Sequence, residues 1–187
     1  AVLEAVRDAV PDSIPCSLKM RRAFDDTEDQ ARNFERVFDA AYDIGFAWAT
    51  VHCRTVEQKY HGPGRWSFLQ DLVRKNPDRI IFGSGDIWCV EDIFLMLETC
   101  GVHAVSVARG CIGNPWIFRQ ARQMMSGLEV SPPTLLEQTE VLKRHHELSV
   151  VIHGEKAASR MMRKFGIKFS VHHPDPETVR QDFIRCS

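Results

Sequence analysis

The sequence predicts a parallel α/β fold over roughly the first 128 residues, followed by a smaller all-helical region. Two observations carry this. Between Ile14 and Trp116, short apolar, β-rich segments alternate four times with amphipathic ones, the pattern of βαβ units. After Trp116 the alternation stops, Pro132-Pro133 breaks the chain, and every later segment has helical periodicity.

Each element has a local reason. Residues 2–10, VLEAVRDAV, read as a helix with no capping residue before it. Ile14 to Arg21 reads as a strand ending in basic residues. Thr27 with Gln30 forms a capping-box pattern that opens a helix to about Ile44, stopped by Gly45. Phe46 to His52 alternates and is β-rich, so a second strand is expected, followed by a polar loop from Cys53 to Arg65. Ser67 with Gln70 predicts a helix to Lys75, ended by Asn76-Pro77. Ile80 to Phe82 is the third strand, Val90 to Cys100 a helix closed by Gly101, and Ala104 to Ala108 the fourth strand. Thr134 with Glu137 starts a long helix, and Asp175-Pro176-Glu177 starts the last.

Composition narrows the function classes. With 187 residues, 44% hydrophobic and 26% charged, the chain has an ordinary globular composition. A formal net charge of −1 gives no global field for nucleic acid, so any basic footprint must be local. No apolar run approaches the ~20 residues of a bilayer-spanning helix, and no signal-peptide pattern opens the sequence. Six cysteines without a CxxC pair read as reduced thiols, so a cytoplasmic location is expected.

Each predicted strand ends in residues capable of chemistry: Lys19 and Arg21; His52 and Arg54; Gly83-Ser84-Gly85-Asp86; Ala108-Arg109-Gly110. In parallel α/β barrels the active site is built at that end, and phosphate binds at the last two loops. Gly83 and Gly85 would let backbone N–H groups approach an anion, with Arg109 adding a fixed charge. Taken singly, the glycines are most often plain turns and Lys19 a solvated terminus, while Arg54 is equally a surface charge and His52 equally a structural histidine. His145-His146 and His172-His173 lack the spacing of a metal site and read as surface histidines.

The segments LKMRRAFDD, TVHCRTVEQKYHG, GSGDI and VARGCIGNPWIF, with the later MRKFGIKF and HHP, resemble the tRNA-dihydrouridine synthases in order and spacing. The resemblance implies an FMN-binding TIM (β/α)8 barrel that uses NADPH to reduce uridines in tRNA, followed by a helical RNA-binding domain. It implies that Lys19, His52, Ser84, Gly85, Asp86, Ala108 and Arg109 hold FMN. Arg54, Lys156, Arg160, Arg163 and Lys164 are expected to meet RNA; Lys156, Arg160 and Lys164 share one helix face at i, i+4, i+8. Two departures stand out. Cys53 occupies a position where the family has glycine, placing a side chain near the flavin, and no Asn-x-Gly-Cys-Pro segment supplies the family's general-acid cysteine. The implied architecture is therefore the C-terminal half of the barrel over 1–128 with the helical tRNA-binding domain at 129–187, open for the missing half or another chain to cover. On its own such a chain is expected to be inactive. A non-catalytic RNA-binding remnant and another FMN barrel oxidoreductase remain as alternatives.

Overall fold

The computed structural model describes residues 1–186. They divide into two compact units, the first Ala1–Ala108 and the second from Arg109 onward.

The first unit is built around a four-stranded, all-parallel sheet in the order β1-β2-β3-β4. Its elements are α1 (Val2–Ala9), β1 (Ser17–Arg21), α2 (Glu28–Asp43), β2 (Trp48–His52), α3 (Trp66–Lys75), β3 (Ile81–Ser84), α4 (Val90–Cys100) and β4 (Ala104–Ser106). A parallel α/β fold is thus observed where the alternation predicts one. The period of two assigns the faces. Ala49, Val51 and Ile81 are buried, on the face that packs against the helices. Gly83 belongs to this face: a Cβ there would meet Met96, Leu69 and Val102 side chains, the first at 2.6 Å. Its glycine serves helix packing, not the anion approach expected of it. The other face carries Ser17, Lys19, Arg21, Trp48, Thr50, His52, Phe82 and Ser84, with Trp48 stacked on Phe82 at 5.5 Å.

Helix boundaries follow their caps where the caps are polar and local. Thr27 Oγ1 accepts from Gln30 N, and α2 stops at Gly45 with φ +89°. The Ser67 start differs: α3 begins at Trp66 after Arg65, without a side-chain cap. At α4, Asp92 Oδ2 accepts from the Trp88 and Cys89 backbone N–H groups, an N-terminal lock not expected from sequence.

The second unit contains α5 (Arg109–Gly113), α6 (Ile117–Met125), α7 (Leu135–His153), α8 (Glu155–Phe169), a 3-10 turn (Ser170–His172) and α9 (Pro176–Arg185). Thr134 and Glu137 complete the expected capping box, and Asp175 caps Pro176 onward. The compact division falls at 108/109, earlier than the boundary near 128, because GNPW packs on the later helices. Trp116 meets Phe169 and His172 edge-on, and His172 Nε2 lies 2.9 Å from Gly113 O. His172 and His145, the latter 4.1 Å from the Phe165 ring, are half-buried packing groups, correcting their reading as surface histidines. Among the described residues, no helix is long and apolar enough to cross a membrane.

Candidate functional site

Parallel pairing brings the strand ends into rows. Arg21 pairs with His52, His52 with Ser84, and Ser84 with Ser106; one step earlier, Lys19 pairs with Thr50 and Thr50 with Phe82. Lys19, Arg21, His52 and Ser84 therefore share one face at the C-terminal end of the sheet. Lys19 is exposed, His52 half-buried and Ser84 buried. Arg21 and Ser106 join the row without having been named as ligands. Their signal was available: Arg21 lies two residues from Lys19 on the same strand face.

The loops behind this row are tied together. Arg54 is only 3% exposed, and its Nη2 lies 2.5 and 2.6 Å from the two carboxylate oxygens of Asp86. The same nitrogen donates to Gly62 O at 2.7 Å, and Gly64 N donates to Asp86 Oδ2 at 2.6 Å. Gly85 O accepts from Trp66 Nε1, and Arg21 Nη1 donates to Thr55 O at 2.6 Å. Arg54 thus lies inside the corner, correcting its expected place at an RNA surface. The reason is electrostatic: a buried guanidinium needs a carboxylate, and Asp86 supplies it. Asp86 adopts φ +57° and Gly85 φ +120°, so the turn after β3 aims the Asp86 carboxylate back at Arg54.

Cys53 is fully buried, its Sγ packed where Cβ atoms on Gly64 and Gly85 would otherwise lie. Burial and the neighbouring Asp86 charge push its thiol up to about 11. His52 moves the other way, to about 4, because burial and then the Arg21, Lys19 and Arg54 charges oppose protonation, against a smaller favourable effect of Asp86. Ala108 closes the first unit after β4, which ends at Ser106, two residues short of its expected end; Arg109 opens α5 in the second unit.

On α8, Lys156, Arg160 and Lys164 are exposed, and Lys168 extends the same i+4 row. Arg163 is half-buried and its Nη1 donates to Cys186 O at 3.1 Å.

Two cations, a half-buried histidine that resists protonation and small polar side chains stand at the carboxyl ends of the parallel strands of an α/β protein, the end where such folds place their ligands. The chain belongs to the dihydrouridine synthase (Dus) family, which it matches over residues 1–186. It is 32% identical over 164 residues to a probable tRNA-dihydrouridine synthase of Mycobacterium leprae, covering 87% of this chain and 42% of that protein. A probable tRNA-dihydrouridine synthase of Treponema pallidum is 36% identical over 134 residues, covering 70% and 39%. tRNA-dihydrouridine synthase B of Shewanella oneidensis is 30% identical over 157 residues, covering 83% and 48%. The chain therefore spans less than half the length of these curated relatives.

Proposed function

We propose that this chain takes part in tRNA dihydrouridine synthesis in the cytoplasm, its sheet-bearing unit holding FMN and its helical unit holding tRNA. The observation that carries the reading is the row of Lys19, Arg21, His52 and Ser84 on one sheet face. Its donor set fits FMN: exposed Lys19 suits an anionic phosphoribityl chain, and neutral His52 and Ser84 suit polar atoms of a ring. When bound and reduced by NADPH, FMN would supply hydride chemistry for a uracil ring. The residues of this chain do the positioning. Lys19 attracts the anion, Arg54 and Asp86 hold the loops after β2 and β3, and Gly85 leaves room for backbone approach.

We read the four parallel strands of the first unit as the last four of a (β/α)8 barrel and the helical unit as the tRNA-binding part. The family's general-acid cysteine has no counterpart in the sequence, and Cys53 is buried behind Gly64 and Gly85. The chain alone should then bind without turning over. Equilibrium dialysis with FMN and gel-shift with unmodified tRNA test this. Saturable binding of both, with no dihydrouridine formed in the presence of NADPH, is expected. Failure to bind FMN refutes the cofactor reading, and dihydrouridine formation refutes the missing-acid reading.

A further inference from the structure

We infer that His52 is held as a neutral imidazole with its proton on Nε2, offered to the site as a hydrogen-bond donor, and that Arg54 is the positioning residue holding it so.

The tautomer follows from one hydrogen bond. Arg54 N lies 3.2 Å from His52 Nδ1. A backbone N–H only donates, so Nδ1 must present its lone pair, and the single ring proton sits on Nε2. Arg54 is fixed from both ends. Its guanidinium grips both Asp86 oxygens and Gly62 O, while Cys53 N donates to Ser84 O and Arg65 N donates to Cys53 O. The loop that carries the donor is thus tied to β3 on one side and to residues 62–65 on the other.

The charges around the ring oppose a second proton. Lys19 and Arg21 come from β1, Arg54 from the loop after β2, and Asp86, the one carboxylate that counters them, from the turn after β3. Both Asp86 oxygens are engaged by Arg54, so little of that charge favours an imidazolium. His52 thus offers a donor at Nε2 that carries no charge of its own, and only the FMN arm of the test below rests on the FMN reading above.

The test uses the full chain labelled with ¹⁵N-histidine, with His52→Gln assigning the signal. Two-bond proton–nitrogen correlations should show Nδ1 bare and Nε2 protonated, without titration between about pH 5.5 and 8. A protonated Nδ1, or an imidazolium at about pH 6, overturns the inference. Arg54→Lys, which cannot span Asp86 and Gly62, should mix the tautomers. Asp86→Asn should do the same with far-UV circular dichroism unchanged. Unaltered tautomer and titration in both variants would return Arg54 to a purely structural role. In FMN titrations, Gln, whose amide nitrogen reaches the Nε2 position, should bind within about threefold of wild type. Asn, which reaches only the Nδ1 position, should lose about tenfold. Equal affinity of the two variants rejects the Nε2 contact. Wild-type chain that shows the Nε2 proton yet binds no FMN sinks the cofactor reading and leaves the tautomer standing.

Discussion

Gly64→Ala should destabilise the first unit because of Cys53. A Cβ at Gly64 would fall far inside the 3.0 Å that Cβ atoms respect, against Cys53 Sγ, and 3.1 Å from Asp86 Oδ2. Gly64 does not have the positive φ that would add backbone strain, so the cost is overpacking, about 1–3 kcal/mol. Cys53 is fully buried and cannot swing out to water. Removing the sulfur alone, by Cys53→Ala, leaves a void costing about 1 kcal/mol and opens the space that the new methyl needs. In that background Gly64→Ala should cost less than about 1 kcal/mol, the remainder coming from Asp86 Oδ2, a coupling of about 1–2 kcal/mol. Urea unfolding followed by tryptophan fluorescence measures it, with Trp48 and Trp66 reporting on the first unit. Equal costs of Gly64→Ala in the two backgrounds would refute the claim that Cys53 fills that space. The same packing predicts that Cys53, buried away from any reagent, resists alkylation under conditions that label exposed Cys186.

Three further outcomes are expected. Lys19→Ala should weaken FMN retention by about 1.5–3 kcal/mol, as a lost charge-assisted hydrogen bond does, and unchanged flavin content after dialysis would contradict its role. Converting Lys156, Arg160 and Lys164 to alanine should weaken tRNA binding and flatten its log–log salt slope by about 0.7–0.9 per phosphate contact, with FMN affinity unchanged; a wild-type slope returns them to solvated charges. The Glu137 carboxyl is held down from 4.5 to about 2 by the Arg119 hydrogen bond and then by the Thr134 N–H. A carboxylate lowered in the folded state stabilises above its unfolded pKa and loses that contribution as pH falls through the folded one. Glu137→Gln should therefore flatten the acid-side fall in helical-unit stability between 4.5 and about 2, read by circular dichroism; an unaltered pH profile would remove Glu137 from that account.

What could be read from the sequence was what neighbouring residues decide. Thr27, Gly45, Thr134 with Glu137, and Asp175-Pro176 act on backbone groups within a few positions, and the helices begin or stop there. The α4 start at Val90 is legible, but the lock that sets it is not, because its donors, Trp88 N and Cys89 N, meet Asp92 with no hydroxyl or amide side chain at the cap. The two glycines of GSG look alike in the sequence and differ in the fold. Gly83 makes room for Met96, while Gly85 turns the chain at φ +120°.

Arg54 shows why the site itself was only partly legible. Beside His52 in a polar loop, it has the appearance of a surface cation offered to a polyanion. Its burial depends on Asp86, 32 residues later, and on Gly62 O, so no local pattern reports it. Once Asp86 is drawn inward, the two residues form the clamp behind His52. The consequence for binding is specific. The cations left at the strand ends are Lys19 and Arg21, both on β1, while β2 and β3 contribute a neutral imidazole and a hydroxyl. Charge on β1 and neutral polar groups on β2 and β3 divide the row by chemistry. This arises from the parallel register and not from any single residue.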